Sequence, residues 1–305
     1  MNENEYRSTG MQKLLKSKMK KYLNLGCGSR FHPSWTNIDF VSKDKNVIAH
    51  DLNQGIPFAD GFFDVVYCSH LLEHFPKEKA GSFLKECYRV LKAGGILRVV
   101  VPDLEGIARS YLLALEKALS GSQEWADNYE WILLEMYDQT VRNKSCGEMA
   151  TYLSKESIPN KEFIIKRLGV EAKRLIESGN RNRLGHKPAT PESRLMRLSR
   201  RIKGFLFNAT YRKELLIKLI LNKEYDSLQI GRFRQAGEIH RWMYDRYSLK
   251  ILMQNNGSEN VVQRTACESF IPDWSKFNLD TEPDGSVYKP DSLYMEGIKP
   301  AQKKN

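Results

Sequence analysis

The sequence lacks the features of a metal-binding or a secreted protein. It has five cysteines in 305 residues, and no two of them form a Cys-x-x-Cys pair. We interpret them as reduced thiols and expect neither a disulfide framework nor a zinc site. The N-terminal segment is charged and has no apolar core, so it does not have the pattern of a secretory signal.

Long hydrophobic runs are also missing. The longest, such as ILRVVV and ELLIKLILN, fall far short of the roughly 20 apolar residues that cross a bilayer. We therefore expect no transmembrane helix and predict a cytoplasmic protein. With 41% hydrophobic and 10% aromatic residues, the chain can nevertheless fold around a sizeable core.

Positive charge is in excess, and its distribution is uneven. The net charge is +11, and ten basic residues but only one acid, Glu192, lie between Arg181 and Lys213. Such a stretch favours an anionic neighbour. Three interpretations stay open: a solvated helix face, peripheral contact of residues 181–213 with an anionic membrane or lipid phosphate, and contact with nucleic acid. Nucleic acid is the least favoured, because no RNA-binding module accompanies the charge.

The first hundred residues alternate short β-branched or aromatic runs with a helical pattern, which predicts parallel strands and crossover helices. Strands are expected near Tyr22–Leu25, Trp35–Phe40, Asn46–His50, Asp64–Cys68 and Gly95–Val101. A helix is expected from about Lys77 to Lys92, ended by Gly94 and Gly95. The predicted fold class is therefore α/β, with a doubly wound, Rossmann-like sheet.

Four residues lie at or just after the ends of the first three predicted strands: Gly26, Gly28, Asp39 and Asp51. Ligands bind at the carboxyl ends of the strands in such a sheet, and glycines let a ligand approach the backbone. An acid after the second strand can accept hydrogen bonds from both ribose hydroxyls, and one after the third can accept from an adenine amino group. The ordered set predicts a nucleoside site, although the glycines alone would also fit a structural turn.

A dinucleotide-dependent oxidoreductase is the competing interpretation of an acid after the second strand. That class requires Gly-x-Gly-x-x-Gly and an acid about 20 residues further on. In this chain Phe31 stands at the position of the third glycine, and Asp39 comes too early. The pattern therefore disfavours hydride transfer.

Four segments resemble the class I S-adenosylmethionine-dependent methyltransferases, in particular the group related to the ubiquinone and menaquinone C-methylases. They are LNLGCG, NIDF, HDLNQGIPFADGFFDVVYCSHLLEH and ECYRVLKAGGILRVVVPD, within roughly residues 22–103. The resemblance implies methyl transfer with S-adenosylmethionine as cofactor. It also implies a cofactor-binding set: Gly26, Cys27 and Gly28 against the methionine and ribose, Asp39 on the ribose hydroxyls, Asp51 and Leu52 at the adenine, and Ser69 and His70 at the methionine end.

The chain departs from the family pattern around the first glycine. Asn24 stands where the family usually has an acid, and Arg30 stands where it has a third glycine. The helix between the first two strands is also reduced, because the segment from Gly28 to Asp39 leaves room for hardly one turn. We predict that the Arg30 guanidinium holds the cofactor carboxylate.

The class I pattern breaks off after Asp103 and resumes near the end of the chain. We predict an N-terminal extension over residues 1–20, the cofactor-binding half over 21–104, an inserted helical lobe over 105–235, and completion of the sheet by 236–305. In the last segment YSLKILMQNNG reads as a helix with Ser248 as N-cap, and NVVQRTACES and DSLYMEGIK read as strands. The lobe would cover the substrate and set its specificity.

A hydroxyl acceptor requires a general base, and the candidates are His70, Asp103 and His240. Acceptor-binding side chains are expected in two polar segments: Asp138, Gln139 and Arg142 in one, and Arg241, Tyr244 and Asp245 in the other. Each set has a structural alternative. Asp103 and Asp245 would also suit helix caps, and the first segment would suit a joint between helices.

Two late segments bear on the acceptor. GEIHRWMYDRYSL and IPDWSKFNLDTEPDGSVYKPDSLYMEGIKP resemble predicted methyltransferases that accompany bacterial surface-polysaccharide enzymes. That resemblance implies O-methylation of a sugar or glycan, including a lipid-linked one. The alternatives are methylation of RNA or of a quinone-like small molecule, and a non-catalytic scaffold that only binds the cofactor.

Overall fold

The computed structural model describes residues 20–42, 44–185, 199, 203 and 205–301. The chain divides into two compact units. The first takes in the described residues up to Gly106 and those from Arg241 onward, and the second is Ile107–His240. The predicted N-terminal extension lies outside the described residues except for Lys20. No helix within the described ranges has the length and apolar character needed to cross a bilayer.

A seven-stranded sheet forms the first unit, in the order β3-β2-β1-β4-β5-β7-β6. The strands are β1 (Tyr22–Leu25), β2 (Thr36–Asp39), β3 (Val47–Ala49), β4 (Phe63–Ser69), β5 (Leu91–Pro102), β6 (Glu259–Arg264) and β7 (Ser292–Ile298), and helix α1 (Lys77–Val90) connects β4 to β5. Strands β1 to β5 are parallel, whereas β7 is antiparallel to β5 and β6. The predicted Rossmann-like α/β fold is confirmed.

The second unit is helical. Helix α2 (Leu104–Leu119) leads into it, and α3 (Gln123–Val141), α4 (Gly147–Leu153), α5 (Lys161–Leu168), α6 (Val170–Gly185), α7 (Ala209–Leu221) and α8 (Tyr225–Gln235) follow. Its buried core includes Trp131 on α3, Ile164 on α5 and Ile176 on α6. Within the basic stretch from Arg181 to Lys213, residues 186–198, 200–202 and 204 lie outside the described residues.

Two helix boundaries differ from the prediction. Helix α1 ends at Val90 because Leu91 is already extended, so Gly94 and Gly95 lie inside β5 instead of ending the helix. The end of the helix was predicted too late because Val90 at its end is apolar and an apolar strand follows at once.

The helix before β6 is α9 (Arg246–Asn255). Its N-cap is Asp245, not Ser248 as predicted. The Asp245 carboxylate accepts the backbone N–H of Ser248, and the Ser248 side chain in turn accepts the backbone N–H of Asp245. The two residues therefore form a capping box in which Ser248 is the third helical position.

The two faces of the sheet are covered differently. One face packs against α1 and α9 around Leu23, Val66 and Leu97. The other face carries Tyr67 and Val100 and is covered by residues 265–291, which we call the β6–β7 connection. Within the described part of the chain no helix joins β1 to β2. The β6–β7 connection thus lies on the face where a crossover helix would pack.

Buried charges fasten the β6–β7 connection to the sheet. Arg98 on β5 is fully buried, and its guanidinium donates to Asp280 and Glu296 at 2.8 Å and to two backbone carbonyls of the connection. The Tyr67 hydroxyl donates to Asp280 at 2.6 Å. Buried charges are tolerated only when they are paired and hydrogen-bonded. The network therefore fixes the connection against β4 and β5.

Candidate active site

A pocket of about 200 Å³ opens at the carboxyl ends of β1 and β4. These strands are neighbours at the point where the strand order reverses, which is where doubly wound sheets bind ligands. Residues 26–30 after β1 and Asn24 form one wall, and Tyr67, Ser69 and His70 form another. The β6–β7 connection contributes Leu279, Tyr288 and Lys289. All these residues belong to the first unit.

The loop after β1 is hydrogen-bonded to the acid that ends β2. Gly26 and Gly28 have φ angles of 63° and 52°, in the left-handed region that favours glycine. A Cβ atom on Gly26 would lie 2.8 Å from Leu71, whereas one on Gly28 would meet nothing within 4 Å. The Gly28 N–H donates to the Asp39 carboxylate at 2.7 Å. Open space above the backbone and a carboxylate beside it suit a ribose.

Cys27 lies between these glycines and is buried. Its N–H donates to the Ile38 carbonyl at 3.1 Å, which ties the loop to β2. Burial, and next the negative charge of Asp39, raise the pKa of the Cys27 thiol to about 12. The thiol is therefore neutral at pH 7, so Cys27 lines the pocket and does not act as a nucleophile.

Asp51 and Leu52 follow β3 at the same edge of the sheet. Asp51 caps the short 3₁₀ helix Leu52–Gln54, and its Oδ1 accepts the Asn53 N–H at 3.0 Å. The hydrogen bonds from Asn53 lower the pKa of Asp51. Leu52 is partly buried against the core. Their predicted contacts with adenine stay predictions.

His70 combines pocket exposure with a strained backbone. Its φ angle is 50°, which is rare for a residue with a side chain and common at functional sites. Its Nε2 lies 2.9 Å from Ser292 Oγ, and its Nδ1 lies 3.3 Å from Glu73 Oε1. The Glu73 side chain is fully buried. A carboxylate beside Nδ1 favours the tautomer with the proton on Nδ1, so Nε2 can accept a hydrogen bond.

Arg30 has partners that the sequence did not predict. Its guanidinium donates to Glu282 at 2.8 Å and to the carbonyls of Asn278 and Thr281 at 2.9 and 2.6 Å. It also stacks 4.0 Å from the ring centre of Tyr288. Both terminal nitrogens are thus engaged by the β6–β7 connection. The predicted contact of Arg30 with a cofactor carboxylate stays a prediction.

Asn24, at the position of the usual family acid, supports the loop. It is 1% exposed, and its amide donates to the Arg30 carbonyl at 3.0 Å and to Asn37 Oδ1 at 3.3 Å. The side chain therefore shapes the turn after β1 without bringing a negative charge to it.

Asp103 and Asp245 have the helix-cap contacts that were their structural alternative. Asp103 Oδ1 accepts the Glu105 N–H at 3.1 Å at the start of α2. Tyr244 is 3% exposed and belongs to the core of the sheet. The Arg241 side chain is exposed, and its backbone N–H donates to the Glu73 carbonyl. Their predicted parts in catalysis or acceptor binding stay predictions.

The other candidates lie in the helical unit: Asp138, Gln139, Arg142 and His240. Asp138 is buried, and its carboxylate accepts the Glu148 N–H at 2.7 Å at the start of α4. The His240 N–H donates to the Gln139 carbonyl at 2.9 Å, and Arg142 lies 3.5 Å from Glu238. These contacts fit the alternative of a joint between helices. Their contact with an acceptor stays a prediction.

Several residues at the site were not predicted as site residues. Leu279, Tyr288 and Lys289 line the pocket, and Ser292 contacts His70. All four lie in the late segment that resembles other methyltransferases, but no spacing connects them to the glycine turn. Glu73 belongs to the matched LEH segment, but its role depends on the turn that brings its carboxylate to His70. The pairing of β7 with β5 and the buried Arg98–Asp280 bond bring the residues of the late segment to the site.

Residues 33–99 match the family model described as a methyltransferase domain. No curated protein is significantly similar to the chain. A solved S-adenosylmethionine-dependent methyltransferase from Archaeoglobus fulgidus is 11% identical over 97% of this chain and 94% of that chain, with a TM-score of 0.36.

Two further solved structures are similar at the same low level. The complex of the Haloferax volcanii Trm112 activator with a putative methyltransferase is 10% identical over 98% of this chain and 95% of that chain, with a TM-score of 0.35. The 1,6-didemethyltoxoflavin-N1-methyltransferase of Burkholderia thailandensis is 15% identical over 32% of this chain and 51% of that chain, with a TM-score of 0.24. At these scores the solved structures carry no argument about this chain.

The matched residues take in strands β2 to β4, helix α1 and most of β5. They include Asp39, Asp51 and His70, and the glycine turn lies a few residues before them. The chain is therefore an S-adenosylmethionine-dependent methyltransferase, and S-adenosylmethionine is its cofactor. The open space above Gly28 and the carboxylate of Asp39 fit the ribose of this cofactor.

Proposed function

We propose that the chain O-methylates a sugar hydroxyl on a glycan intermediate of surface polysaccharide synthesis. The main support for a hydroxyl acceptor comes from His70. This histidine lines the pocket, and its two ring nitrogens lie beside Glu73 and Ser292. The glycan class is supported by the resemblance of the late segments to methyltransferases of surface-polysaccharide gene sets.

A hydroxyl becomes a good nucleophile only as it loses its proton. When bound, the cofactor supplies an electrophilic methyl group and retains the electron pair of the bond that breaks. His70 would take the hydroxyl proton at Nε2, while Glu73 keeps the proton on Nδ1 and stabilises the imidazolium. The acceptor hydroxyl would replace the Ser292 hydroxyl as the donor to Nε2.

His70→Gln tests the base. We expect its kcat to fall by about 10²- to 10⁴-fold, the usual contribution of a general base, a larger change than any in its affinity for S-adenosylhomocysteine. His32→Gln is the matched control, because His32 is bonded to Ser34 and does not line the pocket. Unchanged turnover in His70→Gln would rule out His70 as the base.

The acceptor class is tested with labelled cofactor and a lysate separated into glycolipid, nucleotide-sugar, RNA, quinone and protein pools. Label in the glycan pools that His70→Gln reduces supports the proposal. Label confined to RNA or to quinones would establish one of the alternatives instead. Cofactor binding without label in any pool would favour the scaffold.

We also propose that the enzyme works in the cytoplasm at the inner face of the membrane, through the part of the helical unit that includes residues 181–213. Helix α7 supports this, because Leu219 and Ile220 are 81% and 77% exposed. Arg212 and Lys213 lie about two turns earlier on the same helix. An exposed apolar face with basic residues beside it suits an anionic lipid surface.

A further inference from the structure

The His70 imidazole has a neighbour inside the protein at each ring nitrogen, although the residue lines the pocket. Its side chain is 15% exposed, and Nδ1 lies 3.3 Å from the fully buried carboxylate of Glu73. Its Nε2 lies 2.9 Å from Ser292 Oγ. Ser292 is buried and is not one of the residues that line the pocket. The nitrogen that would accept a proton is therefore directed at a protein hydroxyl.

Strand β5 holds both residues in this contact. The His70 N–H donates to the Val100 carbonyl at 2.9 Å, and Ser292 pairs with Pro102 where β7 begins. The two backbones are thus fixed by one strand. A serine side chain can still turn between staggered rotamers. Rotation of the Ser292 side chain is therefore enough to free Nε2.

A general base beside a methyl donor can also activate water. A water oxygen that loses its proton to His70 Nε2 could form a bond to the methyl carbon, while the methyl–sulfur bond breaks and its electron pair stays on sulfur. The products would be methanol and S-adenosylhomocysteine, and His70 would release the proton to solvent. Enzymes prevent such side reactions by keeping water away from the reacting groups.

We propose that the Ser292 hydroxyl occupies His70 Nε2 until an acceptor binds, and that it thereby keeps His70 from using water instead of the acceptor. Ser292 is then a positioning residue for the transfer. This inference rests on His70 as the base of the proposed function. Contacts made by the rest of an acceptor can displace a hydrogen bond of small net strength, whereas a single water molecule has no such contacts.

The contact is tested first without cofactor. Diethylpyrocarbonate acylates unprotonated imidazole nitrogens, and mass spectrometry of peptides gives the rate at each histidine. Ser292→Ala should raise the rate at His70 severalfold because it uncovers Nε2. Ser292→Thr keeps the hydroxyl and should react like wild type. The rate at His32, which does not line the pocket, should be the same in all three proteins.

The consequence is tested with S-adenosylmethionine and no acceptor, by measuring methanol and S-adenosylhomocysteine. Ser292→Ala should form both, in equal amounts, about tenfold or more faster than wild type, within the usual contribution of a general base. Ser292→Thr should stay near wild type, and the double variant Ser292→Ala/His70→Gln should lose the increase. Ser286→Ala is the matched control, since Ser286 is an exposed serine of the β6–β7 connection that is bonded to Asp284.

The inference is overturned if Ser292→Ala reacts no faster than wild type in either experiment, or if the increase in methanol survives in the double variant. Loss of transfer to the labelled glycan pools in Ser292→Ala, with recovery in Ser292→Thr, would also overturn it, because Ser292 would then relay the proton. The proposed function is decided separately by transfer to those pools in His70→Gln. If that transfer is lost while Ser292→Ala behaves like wild type, only the present inference fails.

Discussion

The Gly28 N–H donates a hydrogen bond to the Asp39 carboxylate. The segment between these two residues contains no helix. The hydrogen bond places a carboxylate beside the Gly28 N–H, and a Cβ atom on Gly28 would meet nothing within 4 Å. A single residue thus organises the turn and offers acceptor oxygens to a ligand.

Asp39→Ala should therefore weaken S-adenosylhomocysteine about tenfold or more, because two hydrogen bonds from the ribose to a charged group would be lost. Calorimetric titration measures this directly. The control is Asp60→Ala, since Asp60 is exposed and pairs with Arg89. Equal affinities in wild type and Asp39→Ala would remove Asp39 from the cofactor site.

At the scale of elements, helix α1 holds the loop that precedes β4. The Glu86 carboxylate accepts the Ile56 N–H at 3.0 Å and pairs with Arg89, which also donates to the carbonyls of Ile56 and Phe58. The hydrogen bond from Arg89 lowers the pKa of Glu86, and the bond from Ile56 adds to this. The helix thus fixes a segment with no regular structure of its own.

Glu86→Gln should lower the free energy of unfolding near pH 7 by about 1 kcal/mol, as expected for a partly exposed group. Because the pKa of Glu86 is lower in the folded state, its contribution is complete above the unfolded pKa and disappears as pH falls through the folded pKa. Urea unfolding from pH 7 to pH 3 should show wild type and variant converging. Lys85→Gln, an exposed neighbour on α1, should not change with pH in this way.

At the scale of the whole molecule, the two units differ in how they expose apolar side chains. The sheet unit covers one face with α1 and α9 and the other with the β6–β7 connection. On α7 of the helical unit, none of the residues is buried. An exposed apolar helix of this kind signals a surface that binds something.

We expect the full chain to float with vesicles rich in anionic lipid and not with neutral vesicles. Leu219→Glu should reduce the bound fraction severalfold, since it adds a negative charge to the apolar face of α7. Leu119→Glu is the matched control and should leave the bound fraction unchanged. Leu119 is 80% exposed and Leu219 is 81% exposed, but Leu119 ends a different helix. Retention on RNA at physiological salt without flotation would contradict the membrane proposal.

Local sequence patterns were enough to predict the strands of the sheet and the class of cofactor. Short β-branched or aromatic runs are local signals, so β1 was predicted with its observed bounds, Tyr22–Leu25. Gly26, Gly28 and Asp39 could be found because strand ends in a parallel sheet meet at one edge. Where a local signal was ambiguous, as at the end of α1, the prediction was wrong by a few residues.

The surroundings of His70 could not be predicted from local patterns, because they depend on long-range packing. Lys289 and Ser292 come from a segment more than 200 residues after the glycine turn, and no periodicity connects them to it. The antiparallel pairing of β7 with β5 and the buried Arg98–Asp280 bond bring that segment to the site. Such contacts depend on long-range packing and on the neutralisation of buried charge, which a sequence pattern does not record.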